Sequence, residues 1–318
     1  MALLTTTVGW FPKPVELRRA RWQFSEGEID RTQLGAAEQR ARTDALELQQ
    51  RLGLDQLVDG QLERSDSVTY FAEQLEGMES AGLVRCFDNR YYRKPRIVAD
   101  VGRRGPITVE TWRAAQAVAS KPVKALLTGP YTLMDWSFDE YYGSRERCCM
   151  ALAEVIRAEA QELVAAGAEE IEIDEPAISS RPHEMQLATE ALRHVTQPLR
   201  GKARSWTYIG YGNLLPVAEA VFALPVDGLL LELTHTGAAL LERLADFPSS
   251  KLMGAGVADV HSTDVESADT VRARAERLLE HVDAERLWLM PDSGLRTLST
   301  PVATAKLQAI VEAASTLG

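Results

Sequence analysis

Short apolar runs alternate along this chain with longer segments whose apolar residues recur at helical spacing. That alternation is the signature of repeated β-α units and of a parallel sheet. Eight strands are predicted, at residues 4–8, 56–58, 123–127, 170–173, 203–209, 228–233, 251–256 and 286–290. Eight is the number that closes a (β/α)8 TIM barrel, and the fold expected is one such α/β barrel, a single domain over residues 1–318. Among the intervening helices, residues 145–166 show the period clearly: Ala151, Val155, Ile156, Ala160 and Leu163 fall on one stripe, and Gly167 follows as a C-cap. Such stripes are read as helices packing over the sheet.

Residues 83–100 break the rhythm. They are rich in aromatic and basic side chains, with Arg90-Tyr91-Tyr92-Arg93-Lys94-Pro95 at their centre, and read as a hairpin-like insertion after the second barrel helix, placed to overhang a site. A solvated cationic loop is the plain alternative. No internal repeat, low-complexity tract or Pro/Gly-rich linker interrupts the rest.

Composition narrows the partners. With 318 residues, 45% of them hydrophobic, the chain can bury a large core. A formal charge of −11 and a pI near 5.1 exclude a sequence-independent nucleic-acid surface or an anionic-membrane surface, which need clustered Lys and Arg. A small-molecule partner is expected, and nothing in the pattern specifies an oligomeric state. The three cysteines, Cys86, Cys148 and Cys149, are odd in number and two are adjacent in a helical stretch, so no disulfide framework is implied. The first residues lack the basic and apolar regions of a signal peptide and no long apolar window follows, so a cytoplasmic location is expected.

In a β/α barrel the loops after the strand C-termini build the active site, so the polar residues following each apolar run carry the functional signal. They are Gly9 and Trp10; Asp59, Gln61, Glu63, Arg64 and Asp66; Thr128, Asp135 and Trp136; Asp174 and Glu175; then Tyr208, Glu232 with His235, Asp259 with His261, and Asp292 with Ser293. Carboxylates, imidazoles and aromatics converging in this way point to a catalytic or binding site. His183, His194 and His281 fall away from strand ends and carry no signal. His235, on spacing alone, reads as a surface or capping residue, although Glu232, Asp259 and His261 are near enough in sequence order to join it in a rebuilt metal site.

Order and spacing of several motifs give the chain a family resemblance. Thr5-Thr6-Thr7-Val8-Gly9, Asp59-Gly60-Gln61-Leu62-Glu63-Arg64, Leu127-Thr128-Gly129-Pro130, Trp136-Ser137-Phe138, Ile173-Asp174-Glu175-Pro176-Ala177, Glu232, Gly256-Val257-Ala258-Asp259-Val260-His261-Ser262 and Pro291-Asp292-Ser293-Gly294-Leu295 together resemble the catalytic barrel of cobalamin-independent methionine synthase over nearly the whole chain. That family binds the homocysteine sulfur to zinc, which lowers a thiol pKa from roughly 8.5 and supplies a thiolate. The resemblance places its His-x-Cys ligand pair on Tyr208 and Gly210, its glutamate ligand on Glu232 and its last cysteine on Ser293. One carboxylate cannot hold zinc as the full set does, so no metal ligand set and no zinc are expected. The family's serine and glutamate that contact the amino acid fall on Trp10 and Gln61, whereas Asp174, which contacts the same amino group, is retained. Trp136 matches the tryptophan on which the family stacks methyltetrahydrofolate, and His261 the histidine that protonates the departing folate nitrogen.

These residues lead to an expected methyltransferase that moves a methyl or related one-carbon group, with a reduced folate as donor, to an acceptor other than homocysteine. Asp174 and Glu63 would position the acceptor, with Trp10, Gln61, Tyr208 and Ser293 also lining its pocket. His261, Asp174 and Glu232 would carry the chemistry, and Trp136 would stack the donor. Some shorter relatives of the family take the methyl group from a corrinoid protein, and nothing in the sequence speaks against that donor. Two alternatives stay open: a lyase or hydrolase using the same carboxylates and histidine, and a non-catalytic homologue that binds a ligand.

Overall fold

The computed structural model describes residues 2–85, 91–210, 212–235 and 237–317. Cys86 and Arg90, part of the predicted insertion, lie outside them. The strands in chain order are β1 (Leu4–Thr5), β2 (Leu75–Arg85), β3 (Tyr91–Arg103), β4 (Ala125–Thr128), β5 (Phe138–Asp139), β6 (Glu170–Asp174), β7 (Arg204–Ile209), β8 (Gly228–Leu231), β9 (Leu252–Ala258) and β10 (Leu287–Pro291). Seven of them form one curled parallel sheet in the order β1-β10-β9-β8-β7-β6-β4. β2 and β3 pair antiparallel as a long ribbon, with the two-residue β5 alongside β3.

The expectation of eight barrel strands is corrected in one place. Residues 56–58 do not form a ladder: they contribute one parallel bridge, Leu57 to Val123. Backbone groups still tie this segment to both edges of the sheet. The Asp55 and Gln56 N–H groups donate to the Thr5 carbonyl (3.2 and 3.1 Å), and the Leu57 N–H donates to the Pro122 carbonyl (2.9 Å). Extended structure ends at once because Gly60 (φ 77°) and Gln61 (φ 50°) turn the backbone into the left-handed region. Gln61 is the only non-glycine residue there among those described.

Side chains alternate along each strand, so each strand feeds two cores. Outward residues pack beneath the helices; inward ones, Val8, Trp206, Tyr208, Leu230, Trp288 and Met290, make a separate cluster inside the curl. The Trp206 and Trp288 rings meet edge to face at 5.4 Å. Trp206 is in register with Gly228 on β8, where an added Cβ would stand 2.2 Å from the indole ring. The interior also holds charge: Lys124 pairs with Glu172, both side chains wholly shielded from water, and the Lys124 amine donates to the Thr7 carbonyl at 3.0 Å.

Helix Arg145–Ala165 follows its sequence signals. Ser144 caps its first turn by accepting the Arg147 N–H (3.3 Å), and the positive φ of Gly167 (103°) ends it. Cys148 and Cys149 lie on its buried face, where burial pushes the Cys148 thiol up to about 12. Among the described residues no helix is long and apolar enough to cross a membrane.

Glu175, just past β6, has a structural task. Its carboxylate accepts the Tyr131 N–H (3.0 Å), the Thr132 N–H (2.7 Å) and the Thr132 hydroxyl (2.6 Å) at the start of helix Pro130–Asp135. Burial nevertheless lifts its pKa to about 7. A folded-state value above the unfolded one means that the folded form is favoured while the group is protonated and loses ground as pH rises towards about 7.

Two outcomes follow from this packing. Between about pH 5 and about pH 8 the unfolding free energy of the wild type should fall relative to that of Glu175→Gln by on the order of 2–3 kcal/mol, read from urea titrations; parallel pH profiles would refute the assignment. Gly228→Ala forces a methyl group into the Trp206 ring and should cost about 1–3 kcal/mol of stability, with near-ultraviolet circular dichroism reporting a displaced tryptophan; an unchanged midpoint would contradict the packing described.

Candidate active site

The later strands converge on Asp292, at the end of β10. Its N–H donates to the Ala258 carbonyl at the end of β9 (2.9 Å), and its Oδ1 accepts the N–H groups of Leu233 (2.9 Å) and Thr234 (3.1 Å) in the loop after β8. One buried residue, through its backbone and its carboxylate, thereby ties three strand ends together. Only glycine allows this at position 256, since a Cβ there would lie 2.2 Å from Asp292 Oδ1 and 2.8 Å from its Cα. Burial drives the Asp292 pKa up to about 7 against the pull of the two backbone donors.

On this platform stand two acid–imidazole pairs. Glu232 Oε1 and His261 Nε2 are 3.2 Å apart, and Asp259 Oδ1 and His235 Nε2 are 3.0 Å apart. Asp259 also accepts the backbone N–H of His261 (2.7 Å), which orients that loop. Burial pushes Asp259 up, yet the hydrogen bonds from His235 and from the His261 backbone outweigh it and hold the carboxyl below its ordinary value. His235 is raised in turn, chiefly by its hydrogen bond to Asp259. The two imidazole rings lie 5.6 Å apart, so both pairs share one mouth.

Tyr208, on β7, closes the floor beside them. A Cβ at Gly210 would stand 2.0 Å from the Tyr208 hydroxyl and 3.0 Å from Glu232 Oε2, so the phenol, Gly210 and Glu232 are packed together. In register with Tyr208 on the neighbouring strand is Asp174, with its Oδ1 unpartnered among the described residues. Burial drives the Asp174 pKa well above its ordinary value, and the Glu172 carboxylate, two residues earlier on the same face of β6, pushes the same way. Both influences disfavour the anion at Asp174.

Gln61 is buried as well, and neither end of its amide finds a partner among the described residues. Its backbone turn brings the amide against Gly9, where a Cβ would lie 2.9 Å from Gln61 Oε1. Trp10 is half-buried beneath the Arg296 guanidinium, 4.8 Å from the ring centroid, and its carbonyl accepts the Leu295 N–H (2.6 Å). Ser293, which follows Asp292 in sequence, is buried. Trp136 follows helix Pro130–Asp135, half-buried, with its carbonyl accepting the Tyr92 hydroxyl of the ribbon (3.2 Å).

The Glu63 carboxylate pairs with Arg42 on helix Arg31–Leu52 and accepts the Thr111 hydroxyl (2.9 Å) on helix Val109–Gln116, and with Gln61 it lines one small cavity. What spacing alone failed to reveal is the grouping of His235, Asp259 and Asp292, whose ligand atoms all lie within 4.8 Å of one another. The three come from loops after β8, β9 and β10, and only neighbouring strand order unites them.

The arrangement offers proton transfer between a carboxylate and an imidazole at the rim, beside a pocket of buried hydrogen-bonding groups. The family model for the catalytic domain of cobalamin-independent synthases matches residues 3–316. A B12-independent methionine synthase from Shewanella sp. W3-18-1, solved in complex with selenomethionine, superposes with a TM-score of 0.88 at 26% identity, over 100% of this chain and 98% of that one. A methyltransferase from Methanosarcina mazei shares the fold with a TM-score of 0.70 at 16% identity, over 98% of this chain and 93% of that one. The chain thus belongs to the family of cobalamin-independent synthase catalytic domains.

Proposed function

We propose that the protein transfers a methyl or related one-carbon group from a reduced folate to an acceptor other than homocysteine, with no step passing through a zinc ion at the family's ligand position. The observation that carries this reading is the weakened anionic character of the acceptor pocket. An amino-acid ammonium group calls for anionic partners, whereas Gln61 is an amide and burial disfavours the charged form of Asp174. An uncharged N–H or O–H donor on the acceptor suits both.

The family's zinc does not fit the residues present. Gly210 offers no ligand atom and has the Tyr208 hydroxyl against it, while Glu232 is engaged with His261. Ser293 gives a hydroxyl where a thiolate would be required. Without that activation the acceptor must be nucleophilic unaided or lose a proton to a base.

Glu232 and His261 supply the acid–base work in this reading. Methyl transfer breaks the donor's N–CH3 bond and forms the acceptor–CH3 bond; the nitrogen gains a proton and the acceptor gives one up. His261 delivers the proton to the departing nitrogen, and Glu232, 3.2 Å from the imidazole, takes the acceptor's proton and returns it to the ring. Trp136 provides the flat apolar face for the pterin.

Methionine formation from homocysteine and methyltetrahydrofolate should accordingly be undetectable by mass spectrometry, and clear turnover would overturn the acceptor assignment. Trp136→Ala should weaken methyltetrahydrofolate by about 1–3 kcal/mol in a fluorescence titration. Equal affinity in the two proteins, or none in either, would remove the folate from this reading.

A further inference from the structure

We propose that His235, Asp259 and Asp292 form a site for one divalent transition-metal ion of the zinc class, built from residues other than those that hold zinc elsewhere in the family. One imidazole nitrogen and one oxygen from each carboxylate lie within 4.8 Å of one another, and His235 Nε2 is 3.0 Å from Asp259 Oδ1. Donors at 2.0–2.2 Å from a tetrahedral ion stand about 3.4 Å apart, so the cluster needs a small contraction. His235, 54% exposed, is free of close packing on its outer side and can make that adjustment.

The second observation is at Asp292. Its side chain is fully buried, its Oδ1 is taken by two backbone N–H groups, and its Oδ2 has no partner among the described residues. A buried carboxylate oxygen left unmatched is costly, and a cation would satisfy it. The surrounding charge agrees: Glu232 adds a third carboxylate near Asp292, while His261 is turned to Glu232.

Donor chemistry selects the ion. Mg²⁺ and Ca²⁺ favour all-oxygen shells, whereas an imidazole with two carboxylates suits Zn²⁺ and its neighbours. Three protein ligands leave a position open at the exposed mouth for water or a ligand atom. The site stands independently of which acceptor the enzyme methylates.

The test is isothermal titration of the full chain, stripped with chelator and dialysed, with ZnCl2 and separately with MgCl2. Zinc should bind with a stoichiometry of about one per chain and magnesium far more weakly. His235→Ala, at an exposed position, and Asp292→Asn, which keeps the Oδ1 acceptor, should each weaken zinc at least about tenfold, with circular dichroism confirming the fold. Glu232→Gln should weaken zinc less than either of those variants, since that residue adds nearby charge but no donor atom. Absence of saturable zinc binding, undiminished affinity in His235→Ala, or a greater loss in Glu232→Gln than in His235→Ala would overturn the proposal.

Discussion

Lys124 and Glu172 face each other inside the curled sheet with no access to water, and the polar half of the interior is organised around them. An isolated charge at either position would carry a desolvation penalty of several kcal/mol, so neither can be kept without the other. The lysine is further anchored to the Thr7 carbonyl, which joins β4's approach to the strand that begins the chain. Burial disfavours an anion at Asp174, and the Glu172 carboxylate on the same face adds to that effect. The electrostatics of the pocket above thus depend in part on a member of the ion pair below it.

Much of the frame could be read from the residues. The runs at 123–127, 170–173, 203–209, 228–233, 251–256 and 286–290 each overlap an observed strand, because buried apolar residues recur in every one of them. The run at 56–58 could not be told from a strand: its pairing stops after one bridge because the next residues, Gly60 and Gln61, turn away, and a positive φ at a glutamine has no sequence signature. Asp174, Glu232 and His261 were visible as polar residues following apolar runs. Their burial and pairing were not, since these depend on neighbours brought in from other strands.

Glu63 and His235 show what position alone leaves open. Glu63 follows a strand-end motif, and the partners it takes beyond the turn at Gln61, Arg42 and Thr111, come from two helices. His235 looked like a surface residue and is indeed exposed, but Asp259 and Asp292 rise beside it from the next two strands of the sheet. Adjacency between loops is set by strand order, which a linear reading reaches only after the topology is known.

The contact between Tyr208 and Gly210 bears on how such a chain can change over generations. A cysteine at position 210 would place its Cβ 2.0 Å from the phenol oxygen, so that substitution is barred while the tyrosine keeps its place. Replacing Tyr208 opens the space but removes a buried ring from the inner cluster. The two positions are epistatic, and the order of steps matters: a thiol at 210 can be gained only after the ring at 208 has gone.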